Sequence, residues 1–211
     1  VPAMFNAINN YPGVQKVDLS SVKSCFSGSA PLPEDVLERF EELTGAKITE
    51  GFGLSETSPV THTNPLEGER RIGTVGLPVP GTDAKIVDAE DGVTEVAQGQ
   101  EGELIIKGPQ GMQGYWNKPE ASAETFVDGW CHSGDIAQID EEGFVVLVDR
   151  AKDMVLRAGE NVYCAEVEAA IYEHVAVYEA AVYGLPHERL GEEVAASVVV
   201  RAGAELDEDG L

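Results

Sequence analysis

Val36, Leu37, Phe40 and Leu43 recur at helical spacing along residues 34–44 (EDVLERFEELT), with Pro33 just before and Gly45 just after. That combination predicts an amphipathic helix. The run KITEGF directly behind it reads as a strand. From Gly51 to Gly81 the periodicity fades into Gly, Pro, Ser and Thr, the composition of a long ordered loop system, and such loops tend to carry function. Short β-type runs come next: AKIVD (84–88), GELIIKG (102–108), DIAQID (135–140) and GFVVLVD (143–149). Turn residues such as Asp91-Gly92 and Glu142-Gly143 separate them, which predicts a small antiparallel β-subdomain. Beyond Arg150 the order becomes MVLR, a Gly-Glu-Asn turn, a helix over 165–174, and strands over 178–185 and 193–201. This is the pattern of a small α+β unit, with a domain boundary expected near 150–153. There is no internal repeat or low-complexity tract. The chain opens on an apolar, Pro-containing segment without a cap, and Leu206-Asp207-Glu208 resembles a helix start, so both ends read as cuts in a longer protein.

Composition narrows the function classes. The 211 residues carry 14 Lys+Arg against 38 Asp+Glu, a formal charge of −24, which argues against a basic nucleic-acid-binding surface. With 43% apolar residues the chain is nevertheless globular in composition. Three widely spaced cysteines (Cys25, Cys131, Cys164) offer neither a disulfide framework nor a thiolate metal site, and point to a reducing, cytoplasmic setting. No apolar run approaches the roughly 20 residues of a membrane span, and no signal peptide is recognisable; peripheral membrane association stays compatible with this. A carboxylate-rich surface serves solubility, and adaptation to high salt is one route to it. Any anionic ligand would have to be held by local N–H groups, a metal ion or a few placed cations, because the global field repels it.

Four segments carry candidate chemistry. In Ser27-Gly28-Ser29-Ala30-Pro31, small residues either admit a flat ligand close to the backbone or simply make a strand-to-helix turn. In GFGLSETSP (51–59), Phe52 suits base stacking, Ser55 a phosphate oxygen, and Glu56 a Mg²⁺ ion, the alternative for Glu56 being an ordinary solvated carboxylate. In GWCHSGDIAQID (129–140), Asp135 follows a Ser-Gly turn and opens a strand, where a carboxylate either accepts both ribose hydroxyls or serves its own backbone. His132 beside it reads as a polar turn residue rather than a general base, with no matching nucleophile or carboxylate near it in sequence. Arg150 supplies a forked donor, and Lys152-Asp153 stand where a rotating domain would hinge, against the plainer readings of a surface ion pair and a solvated linker. The histidines show no metal-ligand spacing.

The order of these segments says more than any one of them. The series SGSAPLP, GFGLSE, GTVGLPVPG, GELIIKGPQGMQGYWNKPEA, GWCHSGDI, VDRAKDM and AGENVYCAEVE resembles the adenylate-forming superfamily and, within it, the AMP-forming fatty-acid:CoA ligases. The resemblance implies an α/β fold. Residues 1–151 would be the C-terminal portion of the large adenylation domain, with its α/β portion and antiparallel β-subdomain, and 152–211 the start of the small mobile α+β C-terminal domain. It implies a reaction in which the fatty-acid carboxylate attacks the α-phosphate of ATP, releasing pyrophosphate, and the thiol of coenzyme A then displaces AMP. It would set Gly28, Ser29, Ala30 and Pro31 along the adenine edge, with Phe52 stacking in place of a tyrosine and Gly53 beside it. Ser55 would meet the α-phosphate, Glu56 would hold Mg²⁺, and Asp135 would bind the ribose with Arg150 beside it. Lys152 would be the hinge, and Gly159, Glu160 and Asn161 would border the pantetheine channel in the thioester-forming state. Val60 and His62 would contribute to the acyl wall.

Three departures stand out: Phe52 lacks the tyrosine hydroxyl, Arg157-Ala158 replaces small residues, and Cys164 replaces a common helix-starting proline. The phosphate-gripping Ser/Thr/Gly loop and the terminal adenylation lysine of the family have no counterpart here, so this chain alone is expected not to adenylate. Alternatives within the superfamily are fatty-acyl-AMP ligases, aryl-CoA ligases, peptide-synthetase adenylation domains and oxidative luciferases; from another class, a non-catalytic nucleotide-binding protein of the same fold. Acyl chain length and oligomeric state are not readable, the long-chain preference resting on resemblance around SPVTHTNPL.

Overall fold

The computed structural model describes residues 1–206, so the helix start suggested at Leu206-Asp207-Glu208 lies, past Leu206, outside the described residues. The chain divides into two compact units. One comprises Val1–Ser133 and Ala137–Leu147; the other comprises Gly134–Ile136 and the chain from Val148 onward.

In the first unit, helix α1 (Pro2–Asn9), unanticipated from sequence, uses Pro2 in its first turn, where a missing N–H costs nothing. Strand β1 (Ser24–Ser27), helix α2 (Glu34–Thr44) and strand β2 (Lys47–Gly53) form a βαβ unit, with β1 and β2 parallel and Cys25 opposite Ile48. Helix α2 takes the span its apolar stripe predicts and stops at Gly45, whose φ of 70° a side chain would strain. The stripe packs Leu37 and Phe40 against Phe5, Leu32 and Ile48, and the Phe5 and Phe40 rings meet edge to face at 4.9 Å. Glu41 ties the helix to β2. Burial alone would raise its pKa, but hydrogen bonds from Arg70, the Ile48 N–H and Lys47 bring it down to about 2.

The segment expected to be loop, 51–81, contains the end of β2 and two further antiparallel strands, β3 (Val60–Thr63) and β4 (Leu77–Pro78), so the sheet order is β1-β2-β3-β4. Four- and two-residue strands are too short to show alternation, which is why the pattern concealed them. The second sheet holds β5 (Asp83–Val87), β6 (Gly102–Lys107), β7 (Phe126–Val127), β8 (Trp130–Ile139) and β9 (Val145–Arg150), in the order β5-β6-β8-β7 with β9 paired to β8. A short helix, α3 (Pro119–Thr125), precedes β7. Its core is Ile86, Leu104, Ile106, Ala137 and Val145. Strand β8 begins at Trp130, five residues before the expected start, so Asp135 sits within a strand rather than at its opening.

In the second unit, β10 (Val155–Arg157) and β11 (Glu160–Val162) form a hairpin, helix α4 (Cys164–Tyr172) follows, and β12 (Val177–His187) and β13 (Gly191–Val200) complete an antiparallel sheet of order β11-β10-β13-β12. Val155, Cys164 and Val182 form its buried centre. Cys164 opens α4 with its thiol donating to the Asp153 carbonyl, and burial pushes that thiol's pKa up. No described helix is long and apolar enough to cross a membrane.

Candidate functional site

Gly28, Ser29, Ala30 and Pro31 follow β1 directly, on the way to α2. Ser27 is buried, Gly28 is half-buried, and the next three are exposed. Ser29 adopts φ 74°, a left-handed conformation uncommon for a residue with a side chain. A Cβ on Gly28 would stand 3.0 Å from the Gly51 carbonyl, so the turn and strand β2 approach closely.

Strand β2 delivers Phe52 and Gly53 into the Ser55–Thr57 turn. Phe52 is half-buried, rests against the Ile86–Val145 core and faces His62 across the β2–β3 pairing, ring centroids 6.1 Å apart. Gly53 has a packing reason of its own: a Cβ would stand 1.9 Å from the Pro59 carbonyl oxygen. Thr57, passed over in sequence, locks this turn. Its buried hydroxyl donates to Pro59 O at 2.8 Å and accepts from Leu54 N at 3.1 Å. Ser55 is thereby held exposed at the turn, and Glu56 half-buried.

Glu56 is engaged from another part of the first unit. Its carbonyl accepts from Met112 N at 2.8 Å, and its Oε1 accepts from the Tyr115 hydroxyl at 2.5 Å. Tyr115 stands 59 residues away, so no local pattern announces the pair. The carboxylate raises the Tyr115 pKa, a hydrogen bond with Thr125 opposing it. His132 has also acquired a carboxylate that sequence reasoning missed: Nδ1 lies 2.8 Å from Glu103 Oε2, both side chains mostly buried. His62 is fully buried, its Nδ1 at 3.0 Å from Thr61 Oγ1 and its Nε2 without a partner among the described residues; burial lowers its pKa to about 4.

In the second unit, Asp135 and Arg150 are brought together. Asp135 is buried, and its Oδ1 lies 3.5 Å from Nε of the largely exposed Arg150. The Ala151 N–H donates to the Gly134 carbonyl at 2.9 Å, fixing the backbone on either side of the pair. Lys152 is exposed in the turn that follows, where Asp153 N and Met154 N both return to the Arg150 carbonyl. A cleft of about 350 Å³ beside it is lined in part by Asp149, Lys152, Glu168 and Glu192. The carboxylates of Asp149, Glu168 and Glu192 accept from the backbone N–H groups of Ala165, Val182 and Leu156 respectively. Gly159, Glu160 and Asn161 are exposed in the β10–β11 hairpin, whose two-residue turn is Ala158-Gly159, φ 54° and 88°. Positive φ at both positions is the geometry that a tight hairpin requires. The departure Arg157 is held in a forked pair by Glu193, at 2.6 and 3.3 Å.

A βαβ unit feeding a small-residue turn and a strand running into a Ser-Glu turn thus stand in the first unit, and a buried aspartate with an arginine beside it stands in the second. The chain belongs to the AMP-binding enzyme family: residues 1–116 match it, and residues 166–211 match the AMP-binding enzyme C-terminal domain. It is 48% identical over 210 residues to a long-chain-fatty-acid–CoA ligase of Bacillus subtilis (strain 168), covering all of this chain and 37% of that protein. It is 40% identical over 212 residues to a feruloyl-CoA synthase of an Amycolatopsis species, of which it covers 43%. The ATP-bound MatB structure from Rhodopseudomonas palustris superposes with a TM-score of 0.80 at 32% identity, over 99% of this chain and 44% of that one. The chain thus spans less than half the length of these relatives.

The resemblance read from the sequence implies a magnesium ion, and the donor set here suits one. Mg²⁺ is commonly held by one or two carboxylates, with water and substrate phosphates completing the shell. Among the described residues there is no cluster of three or more His, Cys, Asp or Glu that would form an all-protein cage. Glu56, with Oε1 braced by Tyr115 and no hydrogen bond to Oε2 among the described residues, fits the single-carboxylate role.

Proposed function

We propose that the protein containing this chain is an AMP-forming fatty-acid:CoA ligase, acting on a long-chain fatty acid in the cytoplasm. Residues 1–151 are assigned to the large adenylate-forming domain and 152–211 to the start of the small mobile one. The fatty-acid carboxylate attacks the α-phosphate of ATP and pyrophosphate leaves; the coenzyme A thiolate then attacks the acyl carbonyl and AMP leaves. Asp135 accepts from the ribose hydroxyls, Arg150 steadies it, Phe52 stacks on the base beside Gly53, and Gly28 to Pro31 follow the adenine edge. Ser55 donates to the α-phosphate. Glu56 supplies one carboxylate to the metal, which when bound neutralises phosphate charge. Such local neutralisation is what an anionic substrate needs beside a chain that itself carries a charge of −24. Lys152 is the hinge, and Gly159, Glu160 and Asn161 border the pantetheine path after rotation.

The observation that carries this reading is the buried Asp135 with Arg150 at 3.5 Å, in a chain 48% identical along its length to a fatty-acid–CoA ligase. The higher identity to that relative than to the feruloyl-CoA synthase favours an alkyl over an aryl acid. The test is acid-dependent ATP–pyrophosphate exchange by the complete protein with palmitate and with ferulate, followed by thioester formation with and without coenzyme A. Exchange and CoA-dependent thioester with palmitate are expected. Exchange with ferulate alone would assign an aryl-CoA ligase, exchange with palmitate without thioester a fatty-acyl-AMP ligase, and no exchange with either a non-catalytic binding protein.

A further inference from the structure

A glutamate that serves as one ligand among phosphates and water must present its carboxylate in one orientation. An unbraced glutamate surrenders its rotamer freedom when the ligand arrives, and that loss weakens binding. In this chain the backbone of Glu56 is fixed by the Thr57-locked turn and by Met112 N, but those contacts leave its side-chain torsions free. The side chain is fixed by Tyr115 alone among the hydrogen bonds described, through Oε1 at 2.5 Å.

Tyr115 is itself held from the opposite direction. Its N–H donates to Ser122 Oγ at 2.8 Å, and that hydroxyl in turn donates to the Lys118 carbonyl at 2.7 Å, anchoring the loop to α3. Gly114 just before it has φ 138°, and a Cβ there would stand 2.8 Å from Ser122 Oγ, so the backbone reaches this position only by virtue of that glycine. Tyr115 is 36% exposed, so core packing does not account for its placement. Two separately anchored segments, 59 residues apart in sequence, meet at one charge-assisted hydrogen bond.

We propose that Tyr115 is a positioning residue for the metal-linked step of adenylation: its hydroxyl holds Glu56 Oε1 and thereby keeps Oε2 as the oxygen available to the cation. The inference rests on the reading of Glu56 given above. Carboxylates that ligate metals are commonly oriented by such outer hydrogen bonds, whose loss costs about 10–100-fold in metal affinity or activity.

The test compares Tyr115→Phe, Glu56→Gln and Trp116→Ala with the parent in the complete protein. Trp116 is the neighbouring, 88% exposed ring and has no contact with Glu56 described here, so it reports general disturbance of the loop. Calorimetric ATP binding without acid, titrated over Mg²⁺ concentration, is the readout independent of turnover. Exchange rate against Mg²⁺ supplies the kinetic split. For Tyr115→Phe a rise of about tenfold in half-saturating Mg²⁺ is expected in both assays, with less than a twofold change in maximal rate and unchanged fatty-acid KM. Trp116→Ala should match the parent. Tyr115→Phe indistinguishable from the parent while Glu56→Gln abolishes the Mg²⁺ dependence would overturn the positioning role and leave the functional reading standing. An equal shift in Trp116→Ala would overturn it in favour of loop structure. If Glu56→Gln also behaves as the parent, the assignment of Glu56 itself is wrong.

Discussion

Asp135 is 7% exposed with an arginine at 3.5 Å, and a carboxylate so placed is a strong hydrogen-bond acceptor. Asp135→Asn keeps the volume and removes the charge. Calorimetry with AMP on the complete protein should show a loss of about 2 kcal/mol, roughly 30-fold in affinity, typical of hydrogen bonds to a charged acceptor. Ala158 presents the opposite case, a chemically silent residue in a demanding conformation. At φ 54° in a two-residue hairpin turn, alanine is strained where asparagine is at home. Ala158→Asn is expected to stabilise by about 1 kcal/mol, read as a higher urea midpoint with unchanged slope. Sequence exposed the first residue and hid the second. Asp135 stands in a Ser-Gly-Asp context with a recognisable chemistry, whereas the turn expected at Gly-Glu-Asn forms one residue earlier, at Ala158-Gly159, with Glu160 and Asn161 paired in β11. The Glu103–His132 and Glu56–Tyr115 pairs were hidden for a different reason, since each joins positions far apart in the chain that only the fold brings together.

Helix α2 was legible almost to the residue because three independent signals agreed: an apolar stripe, a proline before it and a glycine after it. Strands β3 and β4 were not, although they determine the surroundings of Phe52 through the partner His62. That pairing has a consequence for acid stability. A histidine whose folded pKa is about 4 against 6.5 unfolded binds its proton less readily when folded. The unfolded chain therefore takes up more protons between those values, and stability falls as pH drops from about 6.5 to about 4, by up to about 3 kcal/mol. Below pH 4.5 the Glu41 link between α2 and β2 begins to fail as well, its contribution being lost as pH falls towards about 2. Thermal melts should decline across the first window in the parent and be flatter there in His62→Gln. Equal slopes in the two would remove His62 as the cause.

At the scale of the molecule, the charge of −24 works against compaction. Raising NaCl from 10 mM to 0.5 M shortens the screening length from about 30 Å to under 10 Å. The melting temperature should rise over that range by roughly 5 °C. A flat response would mean that the carboxylates are spaced widely enough not to repel. The family could be read from sequence because seven motifs kept their order, even though several elements between and beside them, α1, α3 and β3 among them, could not.

The second unit is assembled from two separated stretches, with Gly134–Ile136 borrowed from the middle of β8. That interleaving constrains anyone who would trade this unit for that of a cousin. A crossover placed at residue 148 would pair a native Asp135 with a foreign arginine position and a foreign Ala151 N–H. A crossover before Trp130 would carry the hairpin as one inherited cassette, and libraries cut there should yield more nucleotide-competent hybrids than libraries cut at the apparent linker.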